Sequence, residues 1–222
     1  MLSKKENPMI NNWSELKFFH TGEFQVIDER LNECPPWCPG PHALFKSLDL
    51  SFADTKVVLM GQDPYPNPRY ATGLAYNIPD NISDWPPTLI NIIREYKSDL
   101  HYPHPKTGSL EKWSKEGVLL WNCIPSCEIG KPLSHDWEEW KPLTEEIVRL
   151  LDARGGVVFV MTGAKSREYT KYISQSPIIE TSHPSPRGSL AGNHPFLGSR
   201  IFSRTNALLT SIGVKPIDWK LN

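Results

Sequence analysis

Four short apolar runs organise the chain: Lys56–Met60 (KVVLM), Gly117–Trp121 (GVLLW), Gly156–Met161 (GVVFVM) and Pro177–Glu180 (PIIE). A strand with one wet face alternates polar and apolar residues with period two, whereas a strand covered on both faces does not. Continuous apolar runs therefore predict buried parallel strands. Each run empties into a polar or glycine-rich segment, in order GQDPYPNP, NCIPS, TGAKS and TSHPSPRG. Helical spacing appears between and around them. Leu89–Leu100 carries Leu89, Ile92, Ile93 and Tyr96 on one stripe; Trp140–Leu151 carries Leu143, Ile147, Leu150 and Leu151; Ile201–Ile212 carries Ile201, Leu208, Leu209 and Ile212. Strands alternating with helices predict an α/β fold: a single domain with a central four-stranded, mostly parallel sheet flanked by helices. Trp13–Leu48 reads as helices and proline-rich connections packed onto that sheet. Residues 1–12 read as an N-terminal tail and residues 13–222 as the domain, with no internal repeat or linker.

Composition narrows the class. Hydrophobic residues make up 39% and charged residues 22% of 222 positions, ordinary for a globular protein and unlike a disordered one. The start, MLSKKENPMINN, has no apolar core of the kind a signal peptide needs, and no apolar run is long enough to span a bilayer. A cytoplasmic protein without membrane contact is expected. The four cysteines form two pairs of the pattern Cys-x-x-x-Cys, Cys34/Cys38 and Cys123/Cys127. Structural zinc sites usually space their cysteines more tightly on a knuckle, so reduced thiols in a cytosolic protein are expected, with no metal. The 21 prolines are about twice the usual share of roughly 5%.

Charge is balanced globally, with 24 bases and 25 acids, and this argues against a nonspecific nucleic-acid coat. It is segregated along the chain, however. Thr181–Ile217 has no acid and holds Arg187, Arg200, Arg204 and Lys215, which suggests a local nucleic-acid contact surface.

In an open parallel sheet, ligands bind beyond the carboxyl ends of the strands, which points to the four loops. Asp63 lies in a loop stiffened by Pro64, Pro66 and Pro68. It is either a turn aspartate bonding its own backbone or a rigidly held carboxylate able to orient water and stabilise a developing cation. Asn122 is a turn residue or an amide able to read an amide-like edge with both its acceptor and its donors. His183 is a structural histidine, a metal ligand or an acid/base group; no second histidine or cysteine sits at ligand spacing, which argues against the metal. Three such residues following three strands of one sheet are more telling than any one of them.

The motifs, taken in order, carry a further signal. GQDPYPNP (61–68), GLAYN (73–77), PPTL (86–89), GVLLWN (117–122), SH (134–135), TGA (162–164), HPSPRG (183–188), SRTN (203–206) and PIDWK (216–220) together resemble the family-1, Ung-type uracil-DNA glycosylases, from about Trp13 to the end of the chain. The resemblance implies hydrolysis of the N-glycosidic bond of deoxyuridine after base flipping, without metal or cofactor. It assigns Asp63 to water positioning and stabilisation of the cationic sugar, and His183 to a hydrogen bond on the leaving base. Gln62 (through its backbone N–H), Tyr65, Tyr76 and Asn122 would form the uracil pocket. Tyr65 would fill the space a thymine methyl needs, and Tyr76 stands at the family's stacking phenylalanine. Pro86, Pro87, Thr88, Gly163, Ala164, Ser185, Pro186, Arg187 and Gly188 would meet the DNA. The implied partners are uracil-containing DNA, single- or double-stranded, and DNA-mimic inhibitor proteins; a monomer is expected.

Several positions depart from the family pattern. Pro66 stands where a histidine is usual, Arg187 where a leucine wedge is usual, and Ala164, Gly188 and Thr88 where serines are usual. Catalysis with an altered grip on DNA is expected. The alternative is a catalytically weak DNA-binding or processivity relative.

Overall fold

The computed structural model describes residues 13–222. The N-terminal tail expected over residues 1–12 lies outside the described residues. The strands are β1 (Trp37–Cys38), β2 (Val57–Gly61), β3 (Val118–Asn122), β4 (Cys127–Glu128), β5 (Val158–Thr162) and β6 (Ile178–Thr181). The α-helices are α1 (Glu23–Glu33), α2 (Pro87–Leu100), α3 (Glu111–Lys115), α4 (Lys141–Arg154), α5 (Ala164–Arg167) and α6 (Ile201–Ser211). Short 3-10 turns fill much of the N-terminal third.

The four expected strands form one parallel sheet in the order β3-β2-β5-β6, each displaced by one or two residues from the apolar run that predicts it. All five residues of β2, β3 and β5 are buried, as continuous apolar runs require. Alternate side chains go to opposite faces. Val58, Met60, Leu119, Trp121, Phe159 and Met161 join a core capped by α1 and α4. Val57, Leu59, Leu120, Val160 and Ile179 join a second core capped by α2, α3 and α6. Two separate apolar layers, each removed from water, lock the register: a one-residue slip would exchange every side chain between them.

Two helical stripes are narrower than their sequence spacing suggests. Leu150 of α4 is 42% exposed and Ile212, just past α6, is 37% exposed, because both sit at the margin of the buried face. The antiparallel pair β1–β4 was not legible at all: two residues per strand are too few to show a period. It sets Cys38 opposite Cys127, so each cysteine's cross-strand neighbour comes from the other pair, not its own.

Helices α2 and α6 are joined by carboxylates. Glu95, buried on α2, accepts the backbone N–H groups of Gly198 and Arg200 at 2.6 Å each. Asp99 accepts the Ser203 N–H at 2.8 Å. These acceptors satisfy donors at the start of α6, where the helix dipole favours negative charge. No described helix is long and apolar enough to cross a membrane.

Candidate active site

The register aligns the carboxyl ends of the strands: Gly61 of β2 lies beside Asn122 of β3, and Thr162 of β5 beside Thr181 of β6. Above that edge opens a cleft of about 500 Å³ lined by Gln62, Asp63, Tyr65, Pro66, Tyr76, Thr88, His183, Ser185 and Arg187, together with Pro64 and Pro132. Residues spread over more than 120 positions of sequence thus meet in one place. Asn122 is not part of that lining; it is 6% exposed, and its Oδ1 lies against Gly61 next to the Tyr76 ring. The close packing there requires glycine at position 61. A Cβ on Gly61 would fall 2.7 Å from Asn122 Oδ1 and 3.1 Å from Tyr76 Cζ.

Asp63 is held from two sides. Gln62 Nε2 donates to Oδ1 at 3.0 Å, and the Leu133 N–H donates to Oδ2 at 2.6 Å. Burial pushes the Asp63 carboxyl above its ordinary range, and these two hydrogen bonds oppose that rise. Leu133 has φ +62°, a left-handed backbone that a leucine adopts only at some cost, and this conformation accompanies the N–H aimed at Asp63. No turn residue marks Leu133 in the sequence, so its role is not legible there.

The loop carrying Asp63 is also tied from below. The Cys123 and Ile124 N–H groups donate to the carbonyls of Gly61 and Gln62 at 3.1 and 2.9 Å. The Cys123 thiol donates to Gln62 O at 3.4 Å and the Cys127 thiol to Pro64 O at 3.5 Å. All four cysteines are free thiols. The four-residue spacing of Cys123 and Cys127 matches two rungs beneath one loop, and burial pushes both thiols up. Pro66 contributes its carbonyl, which accepts the Gly130 N–H at 2.7 Å.

His183, in the loop just after β6, lines the same cleft as Asp63. Its Nδ1 accepts the Ser185 N–H at 3.1 Å, which places the proton of the neutral ring on Nε2. Burial pushes its pKa down to about 4, so the ring is neutral at pH 7. Gly163, at φ +101°, packs against it: a Cβ there would meet His183 Cβ at 3.1 Å. Gly188 closes the same loop, with its N–H on Ser185 O at 3.0 Å and its α-carbon so placed that a Cβ would fall 2.5 Å from His183 O. Pro184 is anchored by Asn91 of α2, whose amide donates to its carbonyl at 2.9 Å.

Tyr65 and Tyr76 are linked as well, the Tyr65 hydroxyl donating to Tyr76 O at 3.2 Å. The rings of Tyr76 and His183 stand 6.0 Å apart. Among the described residues, Asn122 Oδ1 is buried without a hydrogen-bond partner, as are Trp140 Nε1, Ser176 Oγ and Ser199 Oγ, none of which lines this cleft. A buried amide oxygen left without a donor costs roughly 1–3 kcal/mol, so Asn122 Oδ1 has an unused capacity to accept one.

The remaining expected positions divide. Pro86 is buried as the residue preceding α2, while Pro87, Ala164 and Pro186 are exposed near the rim. The proposed basic face is not gathered as the sequence suggests. Of its four cations, only Arg187 lines the cleft. Arg200 stands 3.7 Å from Asp99, Arg204 donates to Ser199 O, and Lys215 lies beyond the far end of α6. Contiguity along the chain does not survive a helix that carries it away from the sheet edge.

The chain has known relatives. The family model of the uracil DNA glycosylase superfamily matches residues 49–209. A uracil-DNA glycosylase of Lacticaseibacillus casei (strain BL23) is 41% identical over 186 residues, covering 82% of this chain and 80% of its own. That of Thermobifida fusca (strain YX) is 34% identical over 220 residues, 96% of this chain and 94% of its own. Among solved structures, mimivirus uracil-DNA glycosylase shares the fold with a TM-score of 0.82 at 24% identity, covering 96% of this chain and 88% of its own. A mimivirus UNG variant in complex with UGI gives a TM-score of 0.84 at 25% identity, covering 96% and 90%.

Proposed function

The chain belongs to the uracil DNA glycosylase superfamily, and from that premise we propose how its cleft hydrolyses the N-glycosidic bond of deoxyuridine in DNA. The observation that carries the reading is the buried, unpartnered Asn122 Oδ1. Uracil presents an N–H at N3 beside the carbonyl O4, which matches an amide's acceptor and donors. Cytosine presents an acceptor and an amino group there, so each contact would be reversed and left unpaired. The Tyr76 ring stacks on the flipped base, and Tyr65 fills the space beside C5 that a thymine methyl requires.

Cleavage moves the electron pair of the C1′–N1 bond onto uracil and leaves cationic character on the sugar. Asp63, fixed in place by Gln62 and the Leu133 N–H, faces that cation as a carboxylate and takes the proton of the water that adds to C1′. His183, neutral with its proton on Nε2, donates to the uracil oxygen as negative charge collects there. A neutral donor serves because its proton stays on the ring at physiological pH while the hydrogen bond strengthens in the transition state. Both groups are fixed before substrate arrives, so little reorganisation is needed.

Thr88, Ser185 and Arg187 at the cleft mouth, with Pro87, Ala164, Pro186 and Gly188 on its rim, contact the backbone of single- or double-stranded DNA, and Arg187 fills the place of the extruded nucleotide. An inhibitor protein presenting DNA-like acidic groups would compete for the same mouth. The protein is taken to act as a cytoplasmic monomer through residues 13–222, the free thiols being consistent with a reducing compartment.

The deciding experiment is release of free uracil from a uracil-containing oligonucleotide. The wild-type chain releases it and leaves abasic sites; absence of release over long incubation, with tight DNA binding retained, would instead support the weak DNA-binding relative.

A further inference from the structure

Thr162 has no place in the roles above, yet it ends β5 directly under the cleft and is buried. Its hydroxyl donates to Met60 O of β2 at 2.6 Å. Its single proton is thereby used, so the 2.6 Å contact with the Tyr76 hydroxyl has Tyr76 as donor and Thr162 as acceptor. The chain Tyr76 Oη–H to Thr162 Oγ1–H to Met60 C=O ties the ring to two adjacent strands. Tyr76 itself has φ +66°, unusual for an aromatic residue, and is 7% exposed. Its ring edge also contacts the position where any Gly61 side chain would stand, beside Asn122 Oδ1. The hydroxyl end of the ring, its backbone and its neighbour are therefore all constrained by the sheet edge.

We propose that Thr162 is a positioning residue for base recognition: through the Tyr76 hydroxyl it sets the plane on which the flipped base stacks, and hence the height at which the base meets Asn122. The inference rests on the reading of the cleft as a uracil pocket and adds a residue to it. The physical argument is one of satisfaction. A tyrosine hydroxyl buried without an acceptor is costly, so if Thr162 lost its oxygen, the ring would tilt to carry the hydroxyl toward another acceptor or water. Phenylalanine at 76 has no such demand. The action of Thr162 should therefore depend on the Tyr76 hydroxyl.

The test is a kinetic cycle on a single-stranded uracil oligonucleotide, using wild type, Thr162→Val, Thr162→Ser, Tyr76→Phe and the Tyr76→Phe/Thr162→Val pair. Thr162→Val should raise KM, and the constant for inhibition by free uracil, by about tenfold, the effect of stranding one buried hydroxyl. Thr162→Ser, which keeps the oxygen, should restore both to within about twofold. In the Tyr76→Phe background, Thr162→Val should change neither. An equal effect of Thr162→Val in both backgrounds would overturn the proposal. So would a loss confined to kcat and melting temperature with KM unchanged, since a purely structural role lowers the folded fraction alone. Should the wild-type chain release no uracil, it is the reading of the cleft that fails, not the coupling, which the melting temperatures of the same five proteins still report.

Discussion

Two aspartates, Asp152 buried and Asp63 half-buried, stand at opposite ends of the sheet and titrate in opposite directions. Asp152, near the end of α4 and close to the start of β6, accepts the Ser174 N–H and hydroxyl at 2.8 Å each and the Gln175 and Ser176 N–H groups at 3.2 and 2.9 Å. Burial would raise its pKa, but these donors outweigh burial and hold it at about 2. Asp63, at the carboxyl edge, has two donors, and there burial wins. The same side chain is a fully satisfied structural brace at one end and an under-satisfied, reactive carboxylate at the other. The count of donors decides which, because each bond to a charged acceptor contributes about 1.5–3 kcal/mol against a desolvation penalty of similar size.

The sharpest break of this contrast is Asp63→Asn. It should lower uracil release at least about a thousandfold, as loss of a preorganised charge facing the reacting centre does. At neutral pH it should leave stability intact or raise it. The Asp63 pKa is higher folded than unfolded, so stability falls as pH climbs through that window, and neutralising the group removes the deficit. Chemical denaturation beside the release assay reads both effects; a large loss of stability would mean that Asp63 is a brace after all.

Asp152→Ala should do the reverse. It strands several buried donors and should cost about 3 kcal/mol in unfolding free energy, with kcat/KM per folded molecule unchanged. Its folded pKa of about 2 lies below the ordinary aspartate value of 3.8, so in wild type this contribution is present above pH 3.8 and disappears as pH falls toward 2.

His183→Gln should slow release by about a hundredfold, the cost of misplacing one oxyanion donor. It also sharpens the pH side of the comparison. His183 drops from 6.5 to about 4 on folding, so the unfolded chain takes up a proton between those values and the native state does not. Wild-type stability should therefore decline as pH falls from 6.5 to 4, and denaturation curves of the glutamine variant should show less of that decline. A decline of equal size in both proteins would place it elsewhere.

The smallest effect belongs to Arg187→Ala at the mouth. It should reduce kcat/KM on duplex about tenfold and on single strands less, since only duplex leaves a gap to be filled. The log-log salt slope of binding should become shallower by about one unit. Equal losses on both substrates would remove the wedge role.

Much of this was readable before folding. The four apolar runs predict β2, β3, β5 and β6 to within two residues because burial on both faces is written into every position of a strand. Asp63, Asn122 and His183 could be grouped because strand ends in a parallel sheet share an edge. Leu133 and Thr162 could not be found, because a backbone N–H and a strand-end hydroxyl look ordinary until their partners are known. The roles of Cys123 and Cys127 were hidden for a related reason: spacing along the chain cannot show that each thiol reaches a carbonyl more than 60 residues away.

The sequence by itself determined the sheet, its two apolar layers and the loops that hold the chemistry, since these follow from local composition and period. Tertiary structure alone decided which carboxylate is poised and which is buffered, which of four cations reaches the cleft, and that Asn122 waits for a donor. The physical reason is that solvation and hydrogen-bond satisfaction are properties of a closed three-dimensional surface. They are settled only when segments distant in the chain have removed one another from water.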